Sequence, residues 1–143
     1  MEFLATVATA ISLAAAPQPF SLDWPAQGRI NDGFGPRWGR MHLGIDIGVL
    51  RRPQVVAAAT GRVESVGYIG GYEGYGLVVM LDHRDGHETL YAHLSRADVR
   101  EGEWVAAGTP LGLAGCTGSC TGTHLHFELR QRGTPVDPLP FLR

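Results

Sequence analysis

No lysine occurs among the 143 residues, and all 12 basic side chains are arginine. A chain without a side-chain primary amine cannot form a Schiff base with a cofactor, supply a phosphate-loop lysine, or carry biotin or lipoate. Excess basic charge is missing too. Twelve Lys+Arg against 14 Asp+Glu leave a net charge of −2, which argues against nucleic acid as a partner. The apolar run from Phe3 to Ala16 (FLATVATAISLAAA) is too short to span a bilayer, which takes about 20 residues. Past that run, no sustained 3.6-residue periodicity appears, nor any long linker, low-complexity tract or block of like charge. The length therefore suits one domain, rich in turns given its 20 glycines and 9 prolines.

The apolar run suits the centre of a secretory signal, and Ala14-Ala15-Ala16 offers the small residues a signal peptidase needs. Glu2 stands where an arginine or lysine is usual, and a buried helix is the alternative. The expectation is an exported protein of the periplasm or cell envelope, its signal-like helix at 1–16, a short lead-in at 17–27 and one domain at 28–143. Cysteine is limited to Cys116 and Cys120, inside the loop-like GCTGSCTG. In an oxidising compartment they can close a small disulfide ring. Two free thiols or two metal ligands are the other options.

What remains reads as short strands. Arg62–Ile69, Gly76–His83 and His87–Leu94 are rich in Val, Tyr, Leu and Thr. Arg84-Asp85-Gly86 forms a hairpin turn between the last two, with His83 and His87 flanking it in solvent. Thr123–Gln131 alternates, so that Leu125, Phe127 and Leu129 share one face. Asp98–Leu113 resembles tight turns joining short strands. The fold expected is mainly β, a compact antiparallel sheet.

The histidines carry the chemistry. On an extended segment His42 and Asp46 point the same way, with Leu43, Ile45 and Ile47 packing inward and Gly44 leaving the polar face open to an ion. His124 and His126 share a face opposite Leu125 and Phe127. Two imidazoles and a carboxylate can fill three corners of a zinc tetrahedron and leave the fourth for water, as catalytic sites require. Taken singly, a His-x-x-x-Asp is commonly a surface pair, and His93 in Tyr91-Ala92-His93-Leu94 reads as a half-buried strand histidine. The three elements together point to a site.

Together FGPRWGRMHLGIDIGV, LYAHLS and GTHLHFELR resemble the three motifs of the lysostaphin/LytM-type zinc endopeptidases, which cut peptide bridges in bacterial peptidoglycan; GTPVDPLPFL resembles the tail of that family. The resemblance covers Gly28 to Leu142. It implies a β domain with a narrow groove and one zinc ion per chain held by His42, Asp46 and His126. His93 and His124 would be the catalytic histidines that do not bind metal. The substrate implied is the stem and cross-bridge peptides of peptidoglycan, with a recruiting envelope protein as a further partner. No integral membrane segment is expected after signal cleavage. The cysteine-bearing loop departs from the family, where polar residues are usual.

Around this core, Glu128 shares a strand face with His126 and either orients a ligand or is a solvated end-of-strand residue. Arg37 either meets a stem-peptide carboxylate or forms a structural ion pair. Tyr68, Tyr72 and Tyr75, in YIGGYEGYG, fit a loop at the groove edge. Two other readings compete. One is a non-catalytic regulator that uses the groove to bind other cell-wall hydrolases. The other is a carrier domain, to which Val55–Val66 and Val99–Leu113 bear some likeness, and which fails for want of a lysine.

Overall fold

The computed structural model describes residues 18–143; the expected export signal at 1–16 lies outside them. Twelve strands follow in order: β1 (Arg29–Asp32), β2 (Gly35–Arg37), β3 (Arg40–His42), β4 (Ile45–Gly48), β5 (Gln54–Val56), β6 (Gly61–Gly67), β7 (Leu77–Asp82), β8 (His87–Ala97), β9 (Trp104–Val105), β10 (Pro110–Ala114), β11 (Leu125–Gln131) and β12 (Thr134–Val136). Ten of them make one sheet with the order β1-β4-β11-β8-β7-β6-β9; β10 joins β8 to β5, and β12 pairs with the far part of β11. β2 and β3 form a separate hairpin. The strand pairings are antiparallel.

Alternation sorts the central strands between two faces. From β4 and β11, Ile45, Ile47, Leu125, Phe127 and Leu129 are fully buried on one face, joined there by Tyr91, Leu94, Val79 and Leu81. Burying such a side chain stabilises the fold by roughly 1.5–3 kcal/mol each before entropy is charged. The opposite face carries Asp46, His126 and Glu128. Beside these, Val78, Met80, Leu90 and Ala92 form a second apolar cluster, packed by Ile69, Tyr72 and Tyr75. The site thus lies on the face the main core leaves free.

The segment before β1 is woven into this frame. Leu22 and Ala26 are core residues. The Leu22 backbone N–H donates to the Phe141 carbonyl and that of Arg143 to the Leu22 carbonyl, tying both ends of the described chain together.

Three expectations need correcting. His83 is not solvated but only 8% exposed. One ring nitrogen lies 2.8 Å from the Thr60 carbonyl and the other 2.7 Å from Thr89 Oγ1. A ring with both nitrogens partnered can be buried cheaply. Its turn neighbour His87 is half-buried and stacks on Phe20, centroids 3.8 Å apart. Leu43 does not pack inward, because β3 ends at His42 and β4 restarts at Ile45; the break turns Leu43 toward the groove. The turn Arg84–Gly86 appears where expected, with Asp85 at φ 60° and Gly86 at φ 73°.

Candidate metal centre

Strand register brings the polar residues together. Asp46 of β4 stands directly opposite His126 of β11, whose other neighbour is Ala92 of β8. The gap at Gly44 lets β4 lie close against β11. A Cβ there would sit 2.2 Å from the Phe127 carbonyl oxygen and 2.8 Å from Glu128 Cγ. Gly44 therefore serves close strand approach, and the open face expected for an ion is made elsewhere.

His42, Asp46 and His126 each offer a ligand atom, all within 4.8 Å of one another. Asp46 Oδ1 lies 2.8 Å from His126 Nδ1 and 3.3 Å from His42 Nε2. Acceptor-only partners fix which nitrogen bears the proton. His42 Nδ1 donates to the Gly33 carbonyl at 2.7 Å, which leaves its Nε2 lone pair facing Asp46. His126 faces a carboxylate at each nitrogen, Glu128 Oε2 at Nε2 and Asp46 Oδ1 at Nδ1, both at 2.8 Å; with the proton on Nε2 held by the buried Glu128, Nδ1 is the nitrogen that a metal would take. Two imidazoles and a carboxylate at this spacing suit a tetrahedral divalent ion with one open corner.

Glu128 is fully buried and not solvated. Besides His126, it accepts from the Tyr75 hydroxyl at 2.5 Å and from Arg130 Nη2 at 2.7 Å. Arg130 also donates to the Tyr72 hydroxyl. Burial raises the Glu128 pKa, yet these hydrogen bonds outweigh it and the group stays anionic. Burial likewise raises Asp46, and the hydrogen bond and charge of His126 reverse the sign. Between the two carboxylates, the His126 imidazole is pushed up to about 9 in the metal-free protein, its burial notwithstanding. Burial raises Tyr75, which remains a phenol that donates.

Two further imidazoles face this cluster. His124 Nε2 lies 3.8 Å from Asp46 Oδ1, and the His93 and His124 rings are 4.8 Å apart. His93 should face the core with Tyr91 by alternation. Instead Tyr91 and Leu94 both enter the core, and His93 takes φ 61° where β7–β8 register slips. That one-residue break turns the ring into the groove. Its Nδ1 donates to the Thr117 carbonyl at 2.7 Å, and His124 Nδ1 to the Gly122 carbonyl at 2.8 Å. Both Nε2 lone pairs are therefore free. Burial lowers the His93 pKa, favouring the neutral ring.

These groups open on a groove of about 620 Å³, also lined by Arg40, Met41, Glu73, Gly74 and Ser119–Thr121. Of the other residues singled out from sequence, Tyr75 lines the groove, Tyr72 reaches Arg130, and Tyr68 is 73% exposed. Arg37 pairs with Asp32, the structural option. Sequence reasoning missed Arg130, although it follows Glu128 at the same-face spacing of two. It also missed the carbonyls of Gly33, Thr117 and Gly122, for which residue type gives no signal.

Residues 40–138 match the model of peptidase family M23. A DD-carboxypeptidase/endopeptidase Mpg of Neisseria meningitidis is 43% identical over 118 residues, 78% of this chain and 26% of that protein. The murein hydrolase activator NlpD of Escherichia coli is 37% identical over 119 residues, 83% of this chain and 30% of that one. The chain spans between about a quarter and less than half of the length of such relatives. Among solved structures, the catalytic domain of lysostaphin from Staphylococcus simulans superposes with a TM-score of 0.71 at 34% identity, covering 80% of this chain and 91% of that domain. Fold, motifs and the His-Asp-His donor set agree with these likenesses, and the chain belongs to peptidase family M23.

Proposed function

We propose that the protein is a zinc-dependent endopeptidase that hydrolyses peptide cross-links of peptidoglycan in the cell envelope. The observation that carries this reading is the pairing of a complete three-donor set with two imidazoles whose Nε2 lone pairs are free. His42 Nε2, an Asp46 carboxylate oxygen and His126 Nδ1 would hold the ion, and their hard and borderline donors suit zinc. Bound zinc supplies Lewis acidity, lowering the pKa of water from about 15.7 toward 7.

The chain's own residues do the rest. No His-Glu-x-x-His helix provides a glutamate base, so an imidazole must accept the water's proton. His93 and His124 are the two candidates, each held at Nδ1 by a carbonyl and each presenting Nε2 to the groove. One takes the proton at Nε2; the partner, when it enters as the imidazolium with Nε2 also protonated, donates a hydrogen bond to the oxygen that gains charge as the scissile carbonyl becomes tetrahedral. Glu128 holds His126 from behind, and Arg130 balances the charge so that the carboxylate does not compete for the peptide. Arg40 and Glu73 both line the groove and give it a cationic and an anionic group for a peptide bearing both charges.

A second reading, a groove-binding regulator of other wall hydrolases, draws support from the likeness to the activator NlpD. The complete donor set favours catalysis, since an activator has no need of an open metal corner. Incubating purified protein with cross-linked peptidoglycan, with and without a chelator, decides between them. Cross-linked fragments should disappear, the loss should stop with chelator and resume with zinc, and product masses should identify the bond. Stoichiometric zinc with no cleavage would overturn the endopeptidase reading in favour of the regulator.

A further inference from the structure

One small ring holds one of the two imidazoles that the metal leaves free and abuts the other. Cys116 and Cys120 are joined, closing residues 116–120 into a loop beside the groove. Thr117, inside that ring, gives its carbonyl to His93 Nδ1. Its hydroxyl accepts from the Leu77 N–H at 3.0 Å and donates to the Leu94 carbonyl at 2.7 Å, which seats the ring on β7 and β8. At the other end, Cys120 Sγ is 3.6 Å from His124 Nδ1, the nitrogen that donates to the Gly122 carbonyl.

Little else fixes this segment. Cys116, Gly118, Ser119, Thr121, Gly122 and Thr123 are exposed, so the loop has no apolar anchor of its own. Its remaining ties are the Ser119 N–H to the Gly74 carbonyl, at 2.8 Å, the His124 N–H to the Gly115 carbonyl, at 3.2 Å, the Cys120 sulfur 2.9 Å from the Gly122 carbonyl oxygen, and the close seat of Gly118. A Cβ on Gly118 would lie 2.5 Å from both the Gly74 oxygen and the Gly76 nitrogen, at φ 74°. Three residues inside a five-residue ring have far fewer conformations open to them than the same residues in an open glycine-rich loop. The metal donors, by contrast, sit on β3, β4 and β11 and make no contact with the ring through their own hydrogen bonds.

We propose that the Cys116–Cys120 disulfide is a positioning device, which fixes the Thr117 and Gly122 carbonyls and thereby the tautomer and aim of His93 and His124. The inference rests on the role given to those imidazoles above. Opening one exposed bond then separates proton transfer from metal binding, so that turnover responds to thiol redox conditions while zinc stays bound.

The test uses the zinc-loaded protein treated with a water-soluble phosphine. The phosphine takes oxygen from water to become its oxide, the S–S bond breaks, and the two hydrogens of that water end on the two thiols. Three quantities are read: zinc stoichiometry by native mass spectrometry, histidine ring signals by 15N NMR, and turnover of a soluble cross-linked muropeptide. Zinc and the His42 ring signals should hold. His93 and His124 should lose their slowly exchanging Nδ1–H, and kcat should fall about 10- to 100-fold with a smaller rise in KM, as loss of alignment at a reacting group costs. Reoxidation should restore both. C116S/C120S should show the reduced behaviour and ignore phosphine. Unchanged ring signals with full turnover would overturn the proposal, as would loss of zinc or of the sheet on reduction. If no muropeptide is cut in any state, the endopeptidase reading fails, and the ring signals still decide whether the disulfide positions the histidines.

Discussion

On the sheet side of the groove, Asp46 and His126 face each other across a strand register, with Glu128 buried and Arg130 half-buried behind them. On the loop side, His93 and His124 depend on the carbonyls of Thr117 and Gly122, in a segment whose residues are mostly exposed. The first side is fixed by paired backbone and charge-assisted hydrogen bonds, the second by a ring, single backbone bonds of His93 to Tyr75 and of His124 to Gly115, and a few loop contacts. Donor geometry is thereby made insensitive to loop motion, while the two imidazoles proposed to move protons sit beside the loop. Metal affinity and turnover should be separable by mutation, and the first two changes below test that directly.

His42→Ala has the largest effect. It removes one of three donors, and zinc content by native mass spectrometry and cleavage of cross-linked peptidoglycan should both be lost. His93→Ala strikes the other side. Zinc should stay stoichiometric while kcat falls by about 10²–10⁴-fold, the usual worth of a proton-transferring side chain. If His93→Ala also lost zinc, the two sides would not be independent. Full activity of metal-free His42→Ala would overturn the assignment of the ion altogether.

Glu128→Gln probes what lies behind the sheet side. The amide keeps the shape but removes the charge held between His126 and Arg130. Replacing such an outer partner typically costs about 10–100-fold in metal affinity. Competition with a chromogenic chelator should show that loss, while the His93 and His124 ring signals remain those of the wild type. An unchanged affinity would mean that strand register alone suffices to hold His126.

The same contrast explains what could be read in advance. The three hydrophobic strands and their turn were legible because alternation and Val/Tyr content survive in the fold: β6, β7 and β8 start or end within three residues of the expected bounds. His124 and His126 were legible for the same reason, lying on one face of a strand whose other face is Leu125, Phe127 and Leu129. The short strands β1 to β5 and β12 carry too few residues for a period to show. His93 could be named only from the motif, since alternation puts it with Tyr91 and only a left-handed residue at a register slip turns it outward. His83 was misjudged because its partners, Thr60 and Thr89, come from a distant strand end and the next strand, pairings that no local pattern announces. Gly44 looked like an opening for an ion, whereas the strand it must meet, β11, lies some eighty residues further along the chain.

The smallest effect lies at the far end of the sheet side, where Arg130 of β11 stands opposite Glu88 of β8. Glu64 is held up at about 7 by its hydrogen bond with Glu88 first, then by burial and by the charges of Glu88 and Asp82, against the pull of Arg130. An acid whose pKa is higher folded than unfolded binds more protons in the folded state. Its contribution to stability is therefore complete below about 4.5 and lost as pH rises through about 7. Glu64→Gln removes the repulsion at high pH. Its melting temperature should exceed that of the wild type at pH 8, by the equivalent of less than about 1 kcal/mol at so exposed a site. The gap should close at pH 5, where Glu64 carries its proton, and shrink in 1 M salt as the Debye length falls to about 3 Å. Zinc affinity and kcat should not move, because Arg130 keeps its bonds to Glu128 and Tyr72. A change in zinc affinity would show that the charge chain behind His126 extends past Arg130 to the acidic end of β6, and that the sheet side is tuned by charges well outside the groove.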